Sequence, residues 1–163
     1  MKVLALALLV LCLSLPCCYT AYTGRAVALG FPVRSSSNWN QNHFNYRLDN
    51  VQRVASSAWC AGFLNANQWI EVSSLVPVTW TGVITQGRAD YDNQWVKSFT
   101  VVYSDDGKIW KDVDGGKTFT GNTDRNSHVT NMFDTPVKAR TLRIQPKTWN
   151  KHISMRFEAL FTS

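Results

Sequence analysis

The side chains able to do chemistry are few, and none is spaced for catalysis. His43, His128 and His152 lie too far apart along the chain to form a local metal motif, and no Gly-x-Ser-x-Gly elbow accompanies them. Gly115-Gly116-Lys117-Thr118 ends like a phosphate-binding loop, but Lys111 stands where its first glycine belongs. Asp112-Val113-Asp114-Gly115 lacks the third acidic ligand and the later Glu of a calcium-binding helix–loop–helix. The chain is therefore not expected to be an enzyme. What remains is a chemistry of recognition. In Ser36-Ser37-Asn38-Trp39-Asn40-Gln41-Asn42-His43-Phe44, Trp39 has no apolar sequence neighbours and suits an exposed aromatic platform. A loop that folds Trp39 back onto its own domain satisfies the same spacing.

The rest of the chain must hold such a loop in place. Of its 163 residues 45% are hydrophobic and 17% charged, which excludes a disordered or collagenous chain and points to one globular domain. The net charge of +6 is spread over isolated basic residues from Arg25 to Arg156, so no nucleic-acid-binding stripe is expected. Lys2 and the short apolar run Val3 to Leu15, followed by Pro16 and small residues, read as a secretory signal over 1–21, leaving a secreted, extracellular domain over 22–163. Cys12, Cys17 and Cys18 leave with that segment or sit at its cut. Cys60, between Trp59 and Ala61, is expected as an inert core thiol rather than a bridge to a second chain.

From Gln68 onward the apolar residues recur with a period of two, which predicts an all-β chain. Phe99, Val101 and Tyr103 share one face, Leu142 and Ile144 another, and Trp80 with Ile84 a third. Ile153, Met155, Phe157 and Ala159 alternate with Ser154, Arg156 and Glu158, which predicts a last strand with one apolar and one polar face. Trp59, Trp69, Trp80, Trp110 and Trp149 fall in or beside these patterns and are expected in the core. Asp106-Gly107 signals a two-residue hairpin. Pro77, Pro136 and Pro146 are expected at strand entrances or edges, where no ladder donor is lost. About eight strands in a sandwich or jelly roll fit this punctuation.

Ser57-Ala58-Trp59-Cys60, Asn67-Gln68-Trp69-Ile70-Glu71-Val72, Gly82-Val83-Ile84-Thr85-Gln86-Gly87, Phe119-Thr120-Gly121-Asn122 and Ala139 to Pro146 together resemble the discoidin domain, the fold family of the coagulation factor five and eight type C domains. Within it, the stretch around Thr148-Trp149-Asn150-Lys151-His152 is most similar to the amino-terminal domain of the slime-mould discoidin lectins. The resemblance implies an eight-stranded jelly-roll-like β-sandwich of the galactose-binding type, with ligand loops at one end matching Asn38 to Phe44, Ala61 to Asn65 and Arg88 to Asn93. It also implies a carbohydrate-binding adhesion module for cell-surface or matrix glycans. Trp39 or Phe44 would face the sugar's C–H surface, and Asn40, His43, Arg88 and Asp92 would meet its hydroxyls, with Phe63, Leu64, Asp90 and Tyr91 adding contact area. A shallow site of this kind binds weakly, so an oligomer would gain by avidity. The coagulation branch suggests a rival, an anionic phospholipid surface met by Trp39, Phe63 and Leu64. The polar and acidic residues of the same loops rank it second.

Two departures from the family pattern stand out. The vertebrate domains usually join their ends by a disulfide, which this sequence lacks, so pairing alone must hold its terminal strands. Lectin relatives can carry Arg-Gly-Asp in the third loop, where this chain has Arg88-Ala89-Asp90, and Ala lacks the backbone freedom of Gly. No cofactor is required by the resemblance. A structural calcium ion is expected only if Asp49, Ser57 and Glu158, which match a site in some carbohydrate-binding relatives, converge with carbonyls and water on one ion.

Overall fold

A computed structural model describes residues 23–39, 45–50 and 57–163. The described residues form β1 (Thr23–Arg25), β2 (Val33–Ser35), β3 (Trp59–Cys60), β4 (Ile70–Gln86), β5 (Trp95–Ser104), β6 (Lys111–Asp112), β7 (Phe119–Thr120), β8 (Val129–Asn150) and β9 (Ser154–Thr162). Strand pairs are antiparallel throughout, in the order β1-β9-β4-β8-β5-β6. The segment carrying the sequence-predicted signal lies outside the described residues.

Two strands are long enough to serve both layers of a β-sandwich. The first part of β4 pairs Ile70 with Ile144 and Ser73 with Thr141, while its second part pairs Val78 with Ala139 and Thr85 with Val129. The early half of β4 and the late half of β8 thus join β2 and β5 in one layer. Their other halves join β9 and β1 in the second. The register breaks where the ladder folds over, between Ser73 and Val78 and again between Trp80 and Gly82. Pro77 lies inside the first break and Pro136 opposite the second, and Pro146 sits at the register shift between Ser98 and Phe99. The prolines thus fall where the ladder has no donor to lose, inside long strands rather than at their entrances.

Between the layers lies one apolar core containing Ile70 and Val72 of β4, Phe99 and Val101 of β5, Leu142 and Ile144 of β8, and Phe157 of β9. Trp59 and Trp80 belong to it, and Trp80 Nε1 donates to the Ala139 carbonyl at 3.0 Å. Trp149 packs against its edge. Trp69 and Trp110 do not enter it; they are half-buried on the outer face. Cys60 is buried, as expected of a core thiol.

Two local details differ from the sequence pattern. The turn after β5 is wider than a two-residue hairpin, because Tyr103 pairs with Lys111. Asp106 Oδ1 organises it by accepting from Lys108 N, Ile109 N and Ser104 Oγ. β9 has no solvent face: Ser154, Arg156 and Glu158 are as buried as their apolar neighbours. It runs between β1 and β4, and its polar side is covered by the turn after β1 at Glu158, by the segments holding Asn50, Gly87 and Arg125 at Arg156, and by Gln94 at Ser154.

Arg156 shows what that polar side does. Its guanidinium donates from Nε to the Gly87 carbonyl at 2.8 Å, from Nη1 to Asn50 O at 3.1 Å and from Nη2 to Arg125 O at 2.7 Å. One buried cation therefore ties three loops to the central strand. Gly87 is required at this junction, since a Cβ there would meet the Asp124 carbonyl oxygen at 2.7 Å. Glu158 anchors the turn after β1 in the same way, accepting from Val27 N at 2.6 Å, Ala28 N at 2.9 Å and Ala159 N at 3.0 Å.

Candidate ligand site at the loop end

Four segments meet where β4 hands over to β5 and β8 to β9. The loop after β2 is stapled to the loop after β3: Ser36 Oγ and Ser37 Oγ both donate to Gln68 Oε1. Gly62 N donates back to Ser37 Oγ at 2.9 Å, and Trp59 Nε1 to Ser37 O at 2.9 Å. The loop from Arg88 to Asn93 closes with Arg88 N donating to Gln94 O at 3.0 Å. The turn between β8 and β9 is tied to that loop by Lys151, whose Nζ lies 2.8 Å from both Asp92 oxygens. Every segment is thus held by hydrogen bonds before any ligand arrives.

Between them opens a cleft of about 440 Å³ lined by Trp39, Arg88, Tyr91, Gln94 and His152. Trp39 and Tyr91 are 57% and 60% exposed, so two aromatic faces are presented to solvent. Trp39 meets the His152 ring edge-on at 6.0 Å, and the Arg88 guanidinium lies 5.0 Å from the centre of the Tyr91 ring. Gln94 Oε1 accepts from Arg88 Nη1 at 3.2 Å and from Ser154 Oγ at 3.1 Å. Burial first, and the Arg88 charge after it, hold the His152 imidazole below its ordinary pKa. It therefore stays neutral at neutral pH, with one ring nitrogen able to accept and the other to donate.

Arg88 is fixed from behind. Asp90 Oδ1 accepts from Arg88 Nε at 2.9 Å, from Ser57 Oγ at 2.6 Å and from Ser57 N at 3.1 Å. Ser57 Oγ in turn accepts from Ala89 N at 2.8 Å and Asp90 N at 3.0 Å. Burial would raise the Asp90 carboxyl, but the bonds from Arg88 and Ser57 outweigh it and bring the pKa down to about 2. Asp90 thus faces inward and positions Arg88. The Arg88–Asp90 pair is spent on itself, which leaves the Arg-Ala-Asp tripeptide unable to offer two free charges.

The structure brings together Trp39, Arg88 and Tyr91 of the sequence-predicted residues. Phe63 and Leu64 are exposed at the tip of the neighbouring loop and do not line the cleft. Asp92 is engaged by Lys151 at the rim. Asn40, His43 and Phe44 lie outside the described residues. Sequence reasoning missed Gln94 and His152, which reach the cleft from the strand entrance and from the β8–β9 turn.

The three residues named for calcium each belong to a different hydrogen-bond group. Asp49 Oδ1 lies 2.9 Å from His128 Nε2 and accepts from Gln86 Nε2, Ser57 serves Asp90, and Glu158 is filled by backbone N–H groups. A cation there would have to share those carboxylate oxygens with the donors already on them. Among the described residues no group of three or more His, Cys, Asp or Glu could hold a metal.

Comparison with known proteins agrees with this fold. The F5/8 type C domain profile matches residues 32–159. A discoidin-1 polypeptide of Dictyostelium discoideum is 41% identical over 133 residues, covering 77% of this chain and 52% of that protein. Lactadherin of Mus musculus is 37% identical over 135 residues, 77% of this chain and 29% of that protein. The chain spans about half the length of the discoidin relatives it matches. Recombinant discoidin II of D. discoideum superposes with a TM-score of 0.79 at 34% identity, over 86% of this chain and 59% of that one. A family 32 carbohydrate-binding module of C. perfringens, solved with galactose, shares the fold at a TM-score of 0.61 and 12% identity, covering 87% of this chain and all of that one.

Proposed function

We propose, for a chain that belongs to the F5/8 type C (discoidin) domain family, that the loop-end cleft binds carbohydrate on cell-surface or matrix glycoconjugates. The protein acts in this reading as a secreted adhesion module rather than an enzyme. One observation carries the reading: two exposed aromatic faces, Trp39 and Tyr91, flank a fixed guanidinium, a carboxamide and a neutral imidazole. A pyranose ring presents C–H surface to an aromatic face and hydroxyls that both donate and accept, and this cleft supplies partners for each. Because Arg88 and Gln94 are held by Asp90 and Ser154, little side-chain entropy is lost on binding.

A second reading rests on a different observation. Phe63, Leu64, Trp39 and Tyr91 are all at least half exposed at this one end of the sandwich, a set that suits insertion into an anionic phospholipid surface. Asp92 and the polar loop residues oppose it. Parallel binding of the purified protein to a glycan array and to phosphatidylserine vesicles separates the two. Saturable glycan binding, competed by free sugar and with silent vesicles, supports the first, and the reverse pattern replaces it. Secretion is tested by mass spectrometry of native protein, with an amino terminus expected between Tyr19 and Tyr22.

A further inference from the structure

Away from the loop end, Glu71 and Arg143 stand directly opposite each other in the β4–β8 ladder. Their neighbours Ile70, Val72, Leu142 and Ile144 point into the core, so the alternation of the pleat sends Glu71 and Arg143 to the outer face. Arg143 donates from Nε at 2.9 Å and from Nη2 at 2.7 Å to Glu71 Oε2. Its guanidinium lies between two indoles, 3.9 Å from the Trp69 ring centre and 3.6 Å from that of Trp110. Trp69 immediately precedes β4, and Trp110 lies in the turn between β5 and β6.

This stack forms the wall of an open cleft of about 540 Å³, larger than the cleft at the loop end, whose rim includes Arg34, Ser73, Asp105 and Arg140. The charges lining it cancel: Arg34, Arg140 and Arg143 against Glu71, Asp105 and Asp106. An anion would meet carboxylates there, a cation would meet guanidinium groups, and an apolar ligand would strip water from a polar rim. We propose that this cleft is a second binding site, for a neutral saccharide. With one face of each indole taken by Arg143, the remaining surface of Trp69 and Trp110 in the cleft wall meets C–H groups, and the mixed rim offers donors and acceptors for hydroxyls. The indoles are immobilised by Arg143 before binding, so their ordering costs the complex little. The site stands independently of the loop-end reading. With both, a single domain could bridge two glycans.

The test uses the full chain, ¹⁵N-labelled, with lactose and N,N′-diacetylchitobiose as neutral probes, following the tryptophan indole N–H signals by NMR. It is run on the wild type and on a loop-disabled Trp39→Ala/Tyr91→Ala variant. The expected result is saturable shifts of the Trp69 and Trp110 signals in both proteins, with a Kd on the order of 1 mM. Arg34→Ala and Asp105→Ala, exposed rim substitutions outside the stack, should weaken those shifts at least about fivefold while the spectrum stays folded. Trp69 and Trp110 signals that stay still under both sugars, or shifts indifferent to the rim substitutions, overturn the proposal. Movement of the Trp39 signal alone would leave the loop-end reading intact and remove this one.

Discussion

Replacing Asp90 by Asn isolates the electrostatic part of the network behind Arg88. The amide keeps the size of the carboxylate and one acceptor oxygen but loses the charge that Arg88 Nε and Ser57 share. The Asp90 side chain is 8% exposed, so solvent screening takes little from the interaction. Its pKa is about 2 in the folded protein against an ordinary value of 3.8. That gap corresponds to roughly 2 kcal/mol of folding stability at neutral pH. Because the folded pKa is depressed, the contribution is fully present above the unfolded value. It is lost as pH falls through about 4 toward 2. Urea unfolding of wild type and Asp90→Asn should therefore differ by roughly 2 kcal/mol at pH 7, with the two curves converging as pH approaches 2. An equal difference at both pH values would mean that shape rather than charge is at stake. No difference at pH 7 would refute the network as a stabilising device.

Trp39→Ala and Tyr91→Ala should each weaken glycan binding in a titration while changing stability by less than about 0.5 kcal/mol, whereas Trp80→Ala in the core should cost ~3–5 kcal/mol. Arg156→Met leaves the carbonyls of Gly87, Asn50 and Arg125 without their donor. It should destabilise by about 3 kcal/mol or more in thermal unfolding, and loss of under about 1 kcal/mol would deny the guanidinium its clasping role. Calcium is tested by melting in chelator: with Glu158 filled by three amides the melting temperature is expected to stay put, and a drop abolished by Asp49→Ala would restore the ion.

Most of the architecture was legible because it is local. The alternation in Phe99, Val101, Leu142 and Ile144 identified inward faces correctly. The same alternation already held the outer-face stack: if Ile70 and Val72 point inward, Trp69 and Glu71 cannot. Placing Trp69 and Trp110 in the core because they lie in or beside apolar strand patterns overlooked that parity. β9 went astray for another reason. A period of two predicts a solvent face only when nothing covers it, and loops distant in sequence cover this one. Gln94 and His152 were missed likewise, since their approach to Trp39 depends on how β5 and β9 are entered. The inward turn of Asp90 was not legible either, because sequence cannot show that Ser57, over thirty residues earlier, donates to its carboxylate.

The pairing of β1 with β9 sets Thr23 opposite Thr162, Gly24 opposite Phe161 and Arg25 opposite Leu160. The two ends of the domain therefore leave the sandwich side by side, at the far side from the loop-end cleft. Tension applied between those ends would load the hydrogen bonds of this short ladder one after another, as a zipper is opened, and no disulfide among the described residues shares the load. Tension between the loop-end cleft and a single terminus would instead run along β9, whose neighbours on both sides would have to slide together. If the molecule holds cells under flow, its mechanical strength should depend on which of these two directions the anchorage imposes.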